Sequence, residues 1–185
     1  MRNRMRYAAV AVLLLAATPV LAAEKPLFGW IENASIEPWG VQVKAKLDTG
    51  ALTSSMHAED IERFEQDGDD WVRFTVEVED EATGDVVSRE FEQPVFRNVR
   101  VRGAGGSERR PVVLMKICIG DTVYEEQFSL EDRDDMLYPL LIGRRTLQHL
   151  GPVDVTRTFE HRLRCDDDSK VMAHDAEPDD EDIDD

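Results

Sequence analysis

Val41-Gln-Val-Lys-Ala-Lys-Leu-Asp-Thr-Gly-Ala-Leu-Thr-Ser-Ser55 is the stretch that decides the fold of this chain. Val41, Val43, Ala45 and Leu47 alternate with Gln42, Lys44 and Lys46, the period of a strand with one apolar face. The strand runs directly into Asp48-Thr49-Gly50-Ala51. A short acid and a short hydroxyl beside a glycine suit a tight turn, because glycine accepts backbone angles that other residues resist. Such a turn holds a carboxylate rigidly at the end of a strand, which makes Asp48 the first candidate for chemistry. Taken alone, Asp48 reads equally as a turn-forming residue, and Thr49 and Gly50 as turn chemistry.

A second stretch changes that balance. Leu140-Leu-Ile-Gly-Arg-Arg-Thr-Leu147 is an apolar run, a glycine and an arginine pair leading into a helix-forming segment, and Gly143 lies 93 positions after Gly50. An apolar strand followed by Asp-Thr-Gly-Ala resembles the active-site loop of aspartic peptidases, and the second stretch resembles the apolar-apolar-Gly-Arg segment of retropepsins. The wording is closer still to a retropepsin-like bacterial family usually called ATP-dependent zinc proteases. The phrases that carry this are Lys46-Leu-Asp-Thr-Gly-Ala51, Thr53-Ser-Ser-Met-His-Ala58, Arg110-Pro-Val-Val113, Ser129-Leu-Glu-Asp-Arg133 and Tyr138-Pro-Leu-Leu-Ile-Gly-Arg-Arg145. They span roughly Phe28 to Arg164.

The resemblance implies an all-β fold, a single-lobe closed β-barrel of the acid protease type with one short helix. It also implies an aspartic endopeptidase. That chemistry needs two carboxylates a hydrogen bond apart, sharing one proton because like charges so close cannot both ionise. The chain has one Asp-Thr-Gly, so the expected completion is a homodimer with Asp48 of each subunit on the two-fold axis. Asp48, Thr49 and Gly50 are the expected catalytic loop, and Ala51 the substrate contact. Leu141, Ile142, Gly143 and Arg144 are the expected support behind it. Thr53, Ser54 and Ser55 read as hydroxyls that satisfy nearby backbone, and His57 as structural.

Two departures qualify the pattern. Many retropepsins place an acid two positions after the motif glycine, where it pairs the arginine of the second motif. Here that position is Leu52, so Arg144 needs another partner. The glycines at 103, 105 and 106 match a retropepsin flap by composition only, and an ordinary surface hairpin fits as well. Zinc peptidases commonly carry His-Glu-x-x-His and ATP sites Gly-x-x-x-x-Gly-Lys-Ser/Thr. The chain has neither, and His57, His149, His161 and His174 show no metal-ligand spacing, so no zinc, ATP or other cofactor is expected. The resemblance also suggests a link with glutamate-ligase systems. An acidic substrate sits awkwardly on an acidic core unless Arg102, Arg109, Arg110, Arg144 or Arg145 line the groove. A peptide-binding or regulatory module on the same fold is the competing function, since folds outlive their chemistry.

The ends of the chain differ from its middle. Residues 1–23 join Arg2, Arg4 and Arg6 to a short apolar run and small residues, which reads as a secretory signal peptide and places the mature protein in the periplasm or outside the cell, off the membrane. Residues 166–185 contain eleven acids and one lysine and are expected to be a disordered acidic tail. The folded unit is then 24–165. The whole chain carries −17, and much of that excess lies in the core, which argues against nucleic acid as a partner and leaves a peptide or protein substrate. Cys118 and Cys165 leave two outcomes open, a disulfide or two free thiols.

Along the core, strands are expected at Phe28–Ile31, Val41–Leu47, Trp71–Asp80, Val86–Pro94, Val95–Arg102, Arg110–Ile119, Thr122–Leu130 and Leu140–Ile142. Glu32–Gly40 reads as a loop, Ala58–Gln66 as a short helical turn and Arg144–Leu150 as a helix. Val153–Val155 and Phe159–Arg164 close the domain as strands.

Overall fold

The computed structural model describes residues 25–103 and 106–174. The signal-peptide stretch and residues 175–185 of the acidic tail lie outside the described residues. The strands are β1 (Phe28–Glu37), β2 (Val41–Leu47), β3 (Ser54–His57), β4 (Glu59–Gln66), β5 (Asp69–Glu79), β6 (Val86–Pro94), β7 (Arg97–Gly103), β8 (Gly106–Ile119), β9 (Thr122–Glu131), β10 (Leu140–Ile142), β11 (Val153–Thr158) and β12 (Lys170–Met172). One helix, α1 (Arg144–Leu150), follows β10.

The alternation in β2 is realised as expected: Val41, Val43, Ala45 and Leu47 are buried, and the residues between them are partly exposed. Its neighbours are β1, antiparallel, and β10, parallel. From there the order runs through β3, β9 and β8, and β8 returns to β1 by pairing Ser35 with Cys118 through Glu37 with Lys116. The six strands therefore close into a barrel, which leaves no free edge along that circuit. Ala34, Ile36, Val43, Ala45, Met56, Ile117, Phe128, Leu140 and Ile142 fill the core. Each larger side chain among them contributes about 1.5–3 kcal/mol through burial. The all-β barrel with one short helix is the fold the sequence implied.

Four local expectations are corrected. Glu32–Gly40 is not a loop, because β1 continues to Glu37. Asn33, Pro38 and Gly40 suggest a turn, yet Asn33 pairs with Lys44 and only residues 38–40 turn; inside the strand stands Glu32. Its carboxylate is fully buried and accepts three backbone N–H groups, from Gly29 (2.7 Å), Glu160 (3.2 Å) and His161 (3.1 Å). Buried charge is tolerated when hydrogen bonds replace water. Glu59–Gln66 is a strand rather than a helical turn. Asp67 (φ 55°) and Gly68 (φ 91°) form a two-residue left-handed turn that sends β4 back along β5, and cross-strand pairing outweighs the spacing of Ile61 and Phe64. β4, β5 and β6 make a separate three-stranded sheet whose Val72, Phe74, Val76 and Phe91 join the common core.

Phe159–Arg164 is irregular rather than strand. Its backbone donors at 160 and 161 are taken by Glu32, and Arg164 N–H donates to Gly120 O. Finally, the chain past Cys165 does not leave the domain at once. Lys170–Met172 pair in parallel with Thr122–Tyr124 of β9, so the ordered unit runs to His174. The cysteine question is settled as a disulfide, Cys118–Cys165, with Cα atoms 6.2 Å apart. It fastens the irregular segment to the end of β8.

Candidate active site

The candidate site is assembled where β2 ends. Asp48 N–H donates to Ile142 O at 2.8 Å, continuing the β2–β10 ladder by one bond past Leu47. The Asp48 carboxylate then folds back over its own turn: Oδ1 accepts the Gly50 N–H at 2.9 Å, and Oδ2 accepts the Lys46 ammonium at 2.8 Å. The Lys46 ammonium first, then the N–H groups of Gly50 and Ala51, hold this carboxyl below the usual carboxylate range, against an opposing push from partial burial. Thr49 and Gly50 are exposed at the surface, and Ala51 and Leu52 partly so. The loop thus presents a fixed, ionised carboxylate to whatever approaches.

What fixes it is the second sequence stretch. β10 lies between β2 and β3, pairing Leu141 with both Lys46 and Ser55. Gly143 sits where only glycine fits, since a Cβ there would lie 2.7 Å from Leu52 O and 2.7 Å from Thr53 C. α1 begins at this point, and the first N–H groups of a helix have no partner within it. Arg144 N–H donates to Ala51 O (3.0 Å) and Arg145 N–H to Leu52 O (3.2 Å). The Asp loop therefore caps the helix with its carbonyls, and the helix start holds the loop. Leu52 left Arg144 without the usual acid, and the structure supplies its replacement. Arg144 Nη1 donates to Thr49 O (3.1 Å) and Gly50 O (2.9 Å), two carbonyls of the Asp48 loop itself.

Of the three hydroxyls after the loop, Ser54 satisfies backbone as expected, whereas Thr53 and Ser55 accept from arginine side chains instead. Ser54 Oγ accepts the Gly143 N–H (3.0 Å) and bonds Thr146 Oγ1 (2.8 Å). Thr53 Oγ1 accepts from Arg97, and Ser55 Oγ from Arg133. Sequence reasoning missed what lies behind Ser54. Thr146 donates on to Glu126 Oε2 (3.4 Å), and Glu126 Oε1 pairs with His149 Nδ1 (2.5 Å). Burial raises the Glu126 carboxyl, and His149 opposes that rise. An unbroken polar chain thus runs from the loop support to the far end of α1. β9 carries Glu125, Glu126 and Gln127 side by side, and no sequence pattern marks which of them joins this polar chain. The glycine-rich hairpin forms as β7 and β8, paired up to Gly103 with Gly106.

One cluster of described residues tests the zinc in the family's common name: His57, Glu59 and Asp134. His57 Nδ1 accepts the Arg133 backbone N–H at 3.0 Å. In a neutral imidazole the proton then sits on Nε2, the atom that faces Glu59 and Asp134 at 3.5 Å each. A histidine ligates metal through an unprotonated nitrogen, so this cluster does not fit a zinc centre. It fits an N–H held between two carboxylates.

A barrel closed around a strand that ends in Asp-Thr-Gly, with a Gly-Arg segment tied beneath it, defines the class: a retropepsin-like protein. The family model described as retropepsin-like aspartic endopeptidase RimB matches residues 27–162, and the chain belongs to this RimB-like family. Among solved structures, a Legionella pneumophila protein described as of unknown function (DUF785) is 34% identical, with a TM-score of 0.63 over 76% of this chain and 100% of its own. Curated relatives include proteins named probable alpha-L-glutamate ligase. The one from Shewanella pealeana is 32% identical over 117 residues, 63% of this chain. The one from Parasynechococcus marenigrum is 34% identical over 122 residues, 65% of this chain. The chain spans 25% of the length of each of these two relatives.

Proposed function

We propose that the protein is an aspartic endopeptidase that works as a homodimer, Asp48 of each subunit meeting across a two-fold axis. The observation that carries this reading is the Asp48 carboxylate itself, pinned by Gly50 N–H on one oxygen and set in an exposed loop that is braced by Ile142 O and Arg144. One ionised carboxylate takes a proton from water as the water attacks the scissile carbonyl, while the protonated partner donates to the carbonyl oxygen. When the tetrahedral intermediate collapses, the proton taken from water passes to the leaving amine, and the former carbonyl oxygen returns its proton to the partner carboxylate. Gly50 N–H keeps the inner oxygen in place through both steps, and Thr49 and Ala51 flank the reacting groups. In this proposal residues 1–23 direct export, so the enzyme acts in the periplasm or outside the cell.

The names of the relatives support a substrate class for this proposal. The matched portion belongs to proteins named for glutamate ligation, which supports peptides carrying glutamyl tails as substrates. The same fact favours one second reading, a peptide-binding module that serves a ligase without cutting. Asp48→Asn separates the two. In an assay with purified protein and with poly-glutamyl and neutral peptides side by side, the variant should keep its fold and dimer and lose several decades of rate. Full cleavage by Asp48→Asn ends the peptidase proposal. A wild-type protein that binds glutamyl peptide without cleaving it favours the module.

A further inference from the structure

At the opposite end of β9 from Ser54's partner Phe128 lies a cleft of about 710 Å³. Its charge is opposite to that of the chain. Lys25, His149, His161, Arg162, Arg164 and Lys170 line it, against Asp121 and Glu160. Glu160 is engaged by Arg157 at 3.1 Å, and the Lys25 ammonium by Gln148 O. Among the described residues, Arg162, Arg164 and Lys170 form no ion pair with any carboxylate. This holds in a protein with 39 acids and 22 basic residues, where cations usually find a neighbour, as Lys44, Arg73 and Arg110 do. Three exposed cations with no carboxylate partner, gathered on one cleft, stand ready for an anionic occupant. Self-repulsion among them, and attraction to an anion, are both strengthened by the low-dielectric walls of Phe28, Ile119 and Leu150.

We propose that this cleft is a docking site for an acidic peptide and that its resident occupant is the chain's own C-terminal segment, residues 175–185. Eight of these eleven residues are acids. The strand that leads to them, β12, contributes Lys170 and Met172 to the cleft wall. β12 runs parallel to β9, away from the cleft, as far as His174, which bonds Gln127 (3.1 Å) and stacks edge-on against Phe96. To occupy the cleft the segment would have to return along β12, and its sequence holds one turn-favouring residue, Pro178. Eleven residues extend up to roughly 36 Å, enough to return past a three-residue strand. So short a tether sets a local concentration in the millimolar range. The tail thus excludes competing anions until one arrives at high concentration or in multivalent form. This inference does not rest on the peptidase reading.

The test uses the full-length chain and a labelled peptide of residues 175–185, followed by fluorescence anisotropy at low salt. In one variant all eight acids of the segment, Asp175, Glu177, Asp179, Asp180, Glu181, Asp182, Asp184 and Asp185, become Asn or Gln. This neutral-tail chain should bind the peptide about tenfold or more tightly than the wild type, whose site is already filled. Adding Arg162→Glu and Arg164→Glu should abolish that binding, and raising salt should weaken it. Equal binding by both chains, absence of binding at millimolar peptide, or binding that survives the charge reversals overturns the proposal. Capture of a poly-glutamate peptide but not of the tail peptide also overturns it, in favour of an occupant supplied in trans. On the wild type, carbodiimide coupling should join Lys170 or Lys25 to tail carboxyls of the same molecule. Coupling only between molecules contradicts the intramolecular assignment.

Discussion

Replacing Lys46 with methionine keeps the aliphatic stem and removes the ammonium that lies 2.8 Å from Asp48 Oδ2. Lys46 is the largest cause of the lowered Asp48 carboxyl, so the variant's Asp48 should titrate at higher pH. The size follows from exposure. The side chains are 38% and 24% exposed, so the pair is partly screened and belongs with ion pairs worth about 0.2–1 kcal/mol. The sign for stability is fixed by the same shift. A depressed carboxyl contributes stability that is complete above the unfolded value and is lost as pH falls through the folded value. Lys46→Met should therefore be less stable than wild type near neutrality and equal to it in strong acid. Two assays check this: carbon-13 titration of the Asp48 carboxyl, and the pH profile of peptide hydrolysis. The acid limb of the profile reports the ionised member of the pair, and it should move upward in the same direction. An acid limb that stays put, or moves to lower pH, refutes the claim that Lys46 sets the charge of Asp48.

The remaining expectations are structural. Gly143→Ala pushes a Cβ to 2.7 Å from the Leu52 and Thr53 backbone, and should cost about 1–3 kcal/mol and depress activity with it. Gly84→Ala is the control: it meets nothing within 4 Å, and its φ of +78° should cost about 1 kcal/mol with hydrolysis intact. Equal effects of the two on activity would contradict the bracing role of Gly143. Removing the Cys118–Cys165 bridge, by serine substitution or by reductant, opens a loop with a sequence separation of 47. Loop closure of that length is worth about 4 kcal/mol, so the melting temperature should drop by roughly 10–15 °C. A melt insensitive to reductant would show that the bridge constrains little.

Much of the candidate site was legible because it is local. Asp48, Gly50 and the β2 alternation sit within ten residues, and the turn chemistry that orients the carboxylate acts over two. Lys46 was within reach of the same reasoning but was read only as the polar face of a strand. The partner of Arg144 was not legible: with Leu52 in place of an acid, the available acceptors are backbone carbonyls, which every residue carries and no sequence pattern marks. The roles of Glu32 and Glu126 escaped for a related reason. A carboxylate in a strand reads as solvent-facing, and only the approach of distant donors, His161 N–H to one and His149 to the other, makes its burial tolerable. The β4 strand was lost to a helical spacing of Ile61 and Phe64 that the β4–β5 hairpin overrides.

By itself the sequence determined the identity of the loop, the apolar periodicity that closes a barrel, and the Gly-Arg segment that accompanies both. These depend on backbone preference and on alternation, which are properties of neighbours along the chain. Tertiary structure alone decided that Cys118 meets Cys165, that Arg144 grips the carbonyls of Thr49 and Gly50, and that unpaired cations collect at the far end of β9. Each of these joins positions tens of residues apart, and such encounters depend on how the strands close on one another, which no window of sequence contains.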